Sequence, residues 1–219
     1  MNTKATASRK NATPTGVARV RRPQEERSEA TRARVIDAAV KCLHRAGYAG
    51  TSTTLVAEEA GVSRGAMLHQ FPSKAELMLA VVRAVFHEDG ELYEKSLKAI
   101  SPRQWLREFP STMWDVISRP AGIAVIEIML GARSDPDFAK RLRAEQQQID
   151  REAHVWVVEH MAIASIDDRP DGEAIHRLFV AAVRGLALEQ LFMRNKAEVM
   201  RSIEVLCLVL RQLYPDLEP

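Results

Sequence analysis

Residues 47–77 read Gly-Tyr-Ala-Gly-Thr-Ser-Thr-Thr-Leu-Val-Ala-Glu-Glu-Ala-Gly-Val-Ser-Arg-Gly-Ala-Met-Leu-His-Gln-Phe-Pro-Ser-Lys-Ala-Glu-Leu. The stretch encodes a short helix, a tight turn, a second short helix and the start of a third. Thr51 or Ser52 can accept the free N–H groups that open the first short helix. Val56, Ala57 and Ala60 give that helix an apolar face. Gly61 ends it, because glycine tolerates a positive φ just past a helix, and Val62 is the apolar residue of the turn. Ser63 can cap the second helix, which carries Met67 and Phe71 as an i, i+4 pair. Pro72 stops it, and Ser73 with Glu76 has the spacing of a capping box for the next. Two short helices across a glycine-containing turn form a helix-turn-helix, whose second helix enters the DNA major groove.

Helical spacing continues on both sides of this motif. Upstream, Val35, Ile36, Ala39, Cys42 and Leu43 predict a helix over 28–46 that ends near Gly47 and braces the motif. Downstream, Leu77, Leu79, Val82, Val85 and Phe86 line a long helix expected from Ser73 towards Lys95, joining the front of the chain to the rest. Further helices are expected over 102–117 with a break at Pro110, 120–132, 135–161, 172–194 and 196–213, with a loop at 166–171. No alternating β pattern competes. The fold class is all-α: an N-terminal three-helix helix-turn-helix DNA-binding domain plus a C-terminal helical domain, whose ligand-binding and dimerisation roles are implied only by the resemblance given below. The expected division is a disordered basic arm at 1–27, the DNA-binding domain at 28–74 and the helical domain at 75–219.

Charge is distributed unevenly. The 219 residues sum to +2, but residues 1–72 carry twelve Lys/Arg against six Asp/Glu, and the remainder nineteen against twenty-three. A basic front and an acidic back fit one domain that faces DNA and one that stays off it. Lys4, Arg9, Lys10, Arg19, Arg21 and Arg22 all precede the first acid, Glu25, and a flexible arm of this kind can lie along phosphates or enter a minor groove. The two cysteines, Cys42 and Cys207, fit neither a metal motif nor a disulfide framework and read as small buried hydrophobes. No signal peptide is legible, and no run approaches the ~20 apolar residues of a membrane span. The expectation is a cytoplasmic protein without membrane contact. There is no nucleophile elbow, phosphate loop or His-Glu-x-x-His motif. His154 and His160 are six apart, which is not a clean helical repeat. No catalytic, metal or cofactor site is therefore expected.

The matching elements Gly47-Tyr48, Thr51-Ser52, Val56-Ala57, Ala60-Gly61-Val62-Ser63, Gly65, Met67, Phe71, Ser73-Lys74 and Leu77 resemble the DNA-binding domain of TetR-family transcriptional repressors. Leu68, where the family commonly has Tyr, Gln70 and Leu55 depart from that pattern. The resemblance implies a recognition helix over 63–71, with Arg64, Gly65, Ala66 and His69 approaching the bases, joined by Thr54 from the preceding helix. Arg64 is the best base reader, since a guanidinium pairs bidentately with guanine O6 and N7. Thr53, His69 and Lys74 are the phosphate candidates, Lys74 because it lies near a helix N-terminus.

The resemblance also implies a back domain that binds small effectors and a four-helix dimer interface. Trp105, Phe109, Met113, Trp114, Ile126, Leu130 and Trp156 are the candidate lining residues for a small apolar or aromatic effector, although large side chains at helical spacing also build cores. The last two expected helices are apolar nearly all round, which calls for burial on more than one side. Leu178, Ala182, Val183, Leu186, Leu206 and Leu210 are the candidate interface residues of a homodimer. The function implied is a DNA-binding regulator, a repressor released from a pseudo-palindromic operator by an effector. The alternatives are an activator or effector-independent DNA-binding protein of the same fold, a non-specific architectural DNA binder, and an enzyme fused to a helix-turn-helix.

Overall fold

The computed structural model describes residues 24–192 and 196–217, and no β-strand occurs among them. The basic arm over residues 1–23 lies outside the described residues. The first helix, α1 (Gln24–Gly50), begins four residues before the expected start, so 24–27 are helical rather than part of the arm. Glu26 falls in its first turn, where a carboxylate complements the helix dipole. Gly47, with φ 68, interrupts α1 near its end.

Next come α2 (Thr53–Ala60) and α3 (Arg64–Gln70). Ser52, not Thr51, caps α2, its Oγ accepting the Leu55 N–H at 3.1 Å. Thr51 is buried, its hydroxyl donating to the Gly47 carbonyl at 2.8 Å. Gly61 takes the left-handed conformation that closes α2 (φ 61, ψ 39). Ser63 caps α3 through the Ala66 N–H at 3.1 Å. Ser73 caps α4 (Lys74–Leu97) through Glu76 N–H, but the Glu76 carboxylate pairs with Arg141 at 2.6 Å rather than reaching back, so only half of the expected capping box forms.

The chain continues through α5 (Pro102–Arg107), α6 (Phe109–Ile117), α7 (Pro120–Gly131), a 3-10 turn (Ala132–Ser134), α8 (Pro136–Ile163), α9 (Gly172–Glu189), α10 (Lys196–Leu213) and a last 3-10 turn (Pro215–Leu217). The break expected at Pro110 falls at Glu108, because proline is accommodated in the first turn of the helix that follows. The α9 helix stops at Glu189, five residues short of the expected end.

Two apolar cores hold these elements. The first joins α1–α4 to α7 and the start of α8: Val35, Leu43, Met67, Phe71 and Leu77 pack together with Ala124, Ile128 and Phe138. The packing thus runs across the boundary expected after residue 74. Tyr48 is its hinge pin. Its N–H donates to Glu127 Oε2 at 3.0 Å and its ring stacks on Phe138. Gly131 lets that ring approach: a Cβ there would fall 2.0 Å from Tyr48 Cγ. The second core joins α5, α6, α9 and α10 around Trp105, Met113, Phe179, Val183 and Ile203. Helix α4 spans both cores, contributing Leu77, Val81 and Val85 to the first and Tyr93 and Leu97 to the edge of the second. Both cysteines are buried free thiols.

Candidate nucleic-acid interface and cavity

Helix α3 is anchored from one side only. Met67 and Phe71 are fully buried, and Arg32 of α1 lies over the Phe71 ring at 4.6 Å. Gln70 donates to Ser28 Oγ at 2.8 Å, while Arg34 reaches the carbonyls of Ala60 and Gly61 at the end of α2. With its inner face fixed, α3 presents Arg64, Gly65, Leu68 and His69 to solvent as one stripe. Arg64 makes no hydrogen bond or ion pair with any described residue. A Cβ at Gly65 would meet only Ser63 Oγ, at 3.9 Å, so the protein itself does not demand glycine there. Thr54 is exposed, whereas Thr53 and Ala66 are half-buried.

Lys74 is placed differently from the sequence expectation. Its ammonium donates to the Tyr48 carbonyl at 2.6 Å and sits 3.8 Å from the Tyr48 ring centroid. Burial pushes its pKa below the usual lysine value. The side chain therefore ties α4 to the end of α1. Its position is legible from the helix start, but this acceptor, 26 residues upstream, is not. Leu68, a departure from the family pattern rather than an expected contact, shares the exposed stripe.

At the far end of α4 the second core opens into a cavity of about 370 Å³ between α4, α6, α8 and α9. Of the seven candidate lining residues, Phe109, Met113 and Trp156 border it. The other four candidates do not. Trp105 is fully buried behind Trp156, with ring centroids 5.3 Å apart and its Nε1–H on Ser96 Oγ. Trp114 and Ile126 fill the core, and Leu130 is 46% exposed on α7. Helical spacing puts the aromatics on one segment, but the break at Glu108 turns Trp105 and Phe109 onto separate helices. Sequence reasoning also misses Phe86 and Tyr93 of α4 and His176 and Arg184 of α9, all of which line the cavity. Arg184 carries a signal: it is a charge set inside the apolar run from Leu178 to Leu188.

The cavity's polar groups are strongly perturbed. Burial pushes Asp89 up to about 7, with Arg119, bonded to it at 2.5 Å, pulling the other way. Burial pushes His176 down to about 4, assisted by repulsion from His154, and it lowers Arg184. His176 is thus neutral at pH 7. Its folded value lies below the unfolded one, so its contribution to stability is present above about 6.5 and is lost as pH falls from there towards 4. Asp89, raised on folding, acts in the opposite sense between about 4 and 7. The expected outcome is that His176→Gln removes a pH-dependent loss on the order of 2 kcal/mol. Denaturant midpoints of wild type and variant at pH 7 and pH 4.5 check this; an identical acid loss in both would remove His176 from the account.

His154 and His160 do not converge. His154 faces Asp168 at 3.7 Å, whereas His160 Nε2 lies 3.8 Å from Glu94 Oε1. No group of three or more His, Cys, Asp or Glu side chains is assembled for a metal among the described residues. None of the described helices is long and apolar enough to cross a membrane.

The outer faces of α9 and α10 are unusually apolar. Leu178 is 63% exposed, Val205 52% and Leu208 53%, and Phe192, in the turn just past α9, is 82% exposed. Of the expected interface residues, Leu178 lies on this surface and Ala182, Leu186 and Leu206 at its half-buried margin. Val183 and Leu210 do not: both point into the protomer's own core, where the inward stripes of α9 and α10 meet α5 and α6.

Comparison with known proteins agrees with this geometry. Residues 35–81 match the model for bacterial regulatory proteins of the tetR family. The chain is 30% identical over 196 residues to the HTH-type transcriptional regulator CymR of Pseudomonas putida, covering 83% of this chain and 89% of the relative. It is 26% identical to the HTH-type transcriptional regulator TtgR, also of Pseudomonas putida, covering 84% and 91%. A transcriptional regulator from Rhodococcus sp. Rha1 has the same fold, with TM-score 0.63 at 17% identity over 84% of this chain and 97% of that one. So does a TetR-family member from Streptomyces coelicolor, with TM-score 0.61 at 22% identity over 84% and 98%. With a capped helix-turn-helix, an exposed stripe on its second helix and relatives of this kind along most of its length, the chain belongs to the TetR family of DNA-binding transcriptional regulators.

Proposed function

We propose that the protein is a homodimeric repressor, released from a pseudo-palindromic operator by a small molecule that enters the cavity between α4, α6, α8 and α9. The observation that carries this reading is the placement of α4. One end starts directly after α3 and is tied to Tyr48 by Lys74; the other forms a wall of the cavity. An occupant that favours one setting of α4 over another shifts the recognition helices by linkage, and DNA must disfavour the occupant by the same factor. Arg64 and His69 read bases, with Leu68 offering an apolar contact of the kind a thymine methyl accepts. Thr54, exposed on α2, approaches the bases beside them, and Thr53 serves the backbone.

The exposed apolar faces of α9 and α10 support the dimer. Gly185 lies on the outer side of α9 with nothing within 4 Å of a Cβ built there, which suits close approach of a partner helix. The test of the whole reading is a footprint on a selected operator, repeated with compounds that raise the protein's melting temperature. Protection of two inverted half-sites, lost on adding a compound that binds, supports it; protection indifferent to every such compound overturns release.

Gly65 provides a sharper local check. Alanine there has open space and a helical backbone, so Gly65→Ala should stabilise the fold by about 0.5–1 kcal/mol. If the α3 backbone approaches the DNA closely, the same variant should bind operator at least tenfold more weakly. Stabilisation with unchanged affinity would place Gly65 away from the DNA.

A further inference from the structure

We infer that the cavity takes a small aromatic carboxylate, its ring held among Phe86, Tyr93, Phe109 and Trp156 and its carboxylate on Arg184. The inference rests on the effector reading above and names the chemical class.

The charges lining the cavity are not equivalent. Asp89 is bonded to Arg119 at 2.5 Å, Glu152 to Arg83 at 2.8 Å, and Asp150 accepts from Gln146 Nε2 at 3.0 Å. Arg184 borders the same space, yet it makes no hydrogen bond or ion pair with any described residue. It feels Asp150, Tyr93 and Asp89 only at longer range. A guanidinium has five N–H donors, and no described residue accepts from those of half-buried Arg184. A carboxylate ligand meets them in pairs.

The cavity's negative charge is also reduced, because burial drives Asp89 towards its neutral acid. A cationic ligand would have to compete with Arg119 and Arg83 for carboxylates already engaged, and would be repelled by Arg184. The aromatic walls set the rest of the molecule. Tyr93 and Trp156 rings lie 5.8 Å apart, and Trp156 is fixed by its Nε1–H on Glu94 at 2.9 Å, so a flat ring can stack against a prepositioned surface. The volume, about 370 Å³, admits one or two fused rings. Neutral His176 borders the same space and can donate a hydrogen bond without adding charge.

The experiment is calorimetric titration of the full-length wild type, Arg184→Met and Arg184→Lys with benzoate, 1-naphthoate, 1-naphthamide and 1-naphthylmethylamine. Circular dichroism establishes that each variant is folded. The expected result is that 1-naphthoate binds wild type at least tenfold more tightly than the amide or the amine. That preference should fall to about onefold in Arg184→Met and be partly kept in Arg184→Lys. Equal binding of acid and amide, preference for the amine, an unchanged preference in Arg184→Met, or no binding of any probe overturns the inference. Release of operator DNA is measured separately. A carboxylate that binds through Arg184 without releasing DNA sinks the release reading alone; release by neutral or cationic probes without a carboxylate preference sinks only the ligand class.

Discussion

Leu208→Glu is expected to turn the protein into a folded monomer and to weaken operator binding by more than about a hundredfold, since two linked half-site contacts become one. Leu208 is 53% exposed on the outer stripe of α10, so the isolated protomer tolerates a carboxylate there. At a two-fold interface the same substitution places two unpaired charges in an apolar contact. Leu178→Glu, on the facing stripe of α9, should act the same way. Val183→Glu is the contrasting control: Val183 is wholly inside the protomer, so this variant should fail to fold rather than dissociate. Sedimentation at micromolar concentration with circular dichroism separates these outcomes. A Leu208→Glu protein that stays dimeric would move the interface elsewhere.

The second large effect is expected at Arg64. It opens α3 beside the capping Ser63, is exposed, and has no partner among the described residues, so nothing in the protomer competes for its guanidinium. A bidentate contact to guanine is worth about 1–3 kcal/mol, and on a symmetric operator it occurs twice. Arg64→Ala should therefore cost about 2–6 kcal/mol, at least roughly 30-fold in affinity, with base preference relaxed at one position per half-site. Stability should be nearly unchanged because no intramolecular contact is lost. Loss of affinity equal on all sequences would assign Arg64 to a phosphate instead.

The helix-turn-helix was legible in the sequence because its determinants are local. Ser52, Gly61, Ser63, Pro72 and Ser73 act within four residues of themselves, and all bound the helices they were expected to bound. What was not legible depends on contacts distant in sequence. Lys74 reads as a residue at a helix start, but its acceptor is Tyr48, on the end of α1. Val183 and Leu210 belong to helices correctly read as apolar nearly all round, and periodicity cannot say which stripe of such a helix faces inward. Leu130 follows Ile126 at helical spacing, yet the surface it reaches on α7 is open to solvent. The cavity's polar groups come from α4, α8 and α9, which meet only in the fold. Arg184 alone left a trace, as a cation within an apolar run.

Selection from a random double-stranded DNA library with the purified protein tests the central claim most directly. The account predicts enrichment of one sequence made of two inverted half-sites, retained by wild type and relaxed at matching positions by Arg64→Ala. Recovery of no sequence above the input, or of a motif that Arg64→Ala leaves unaltered in strength and content, would contradict recognition by α3.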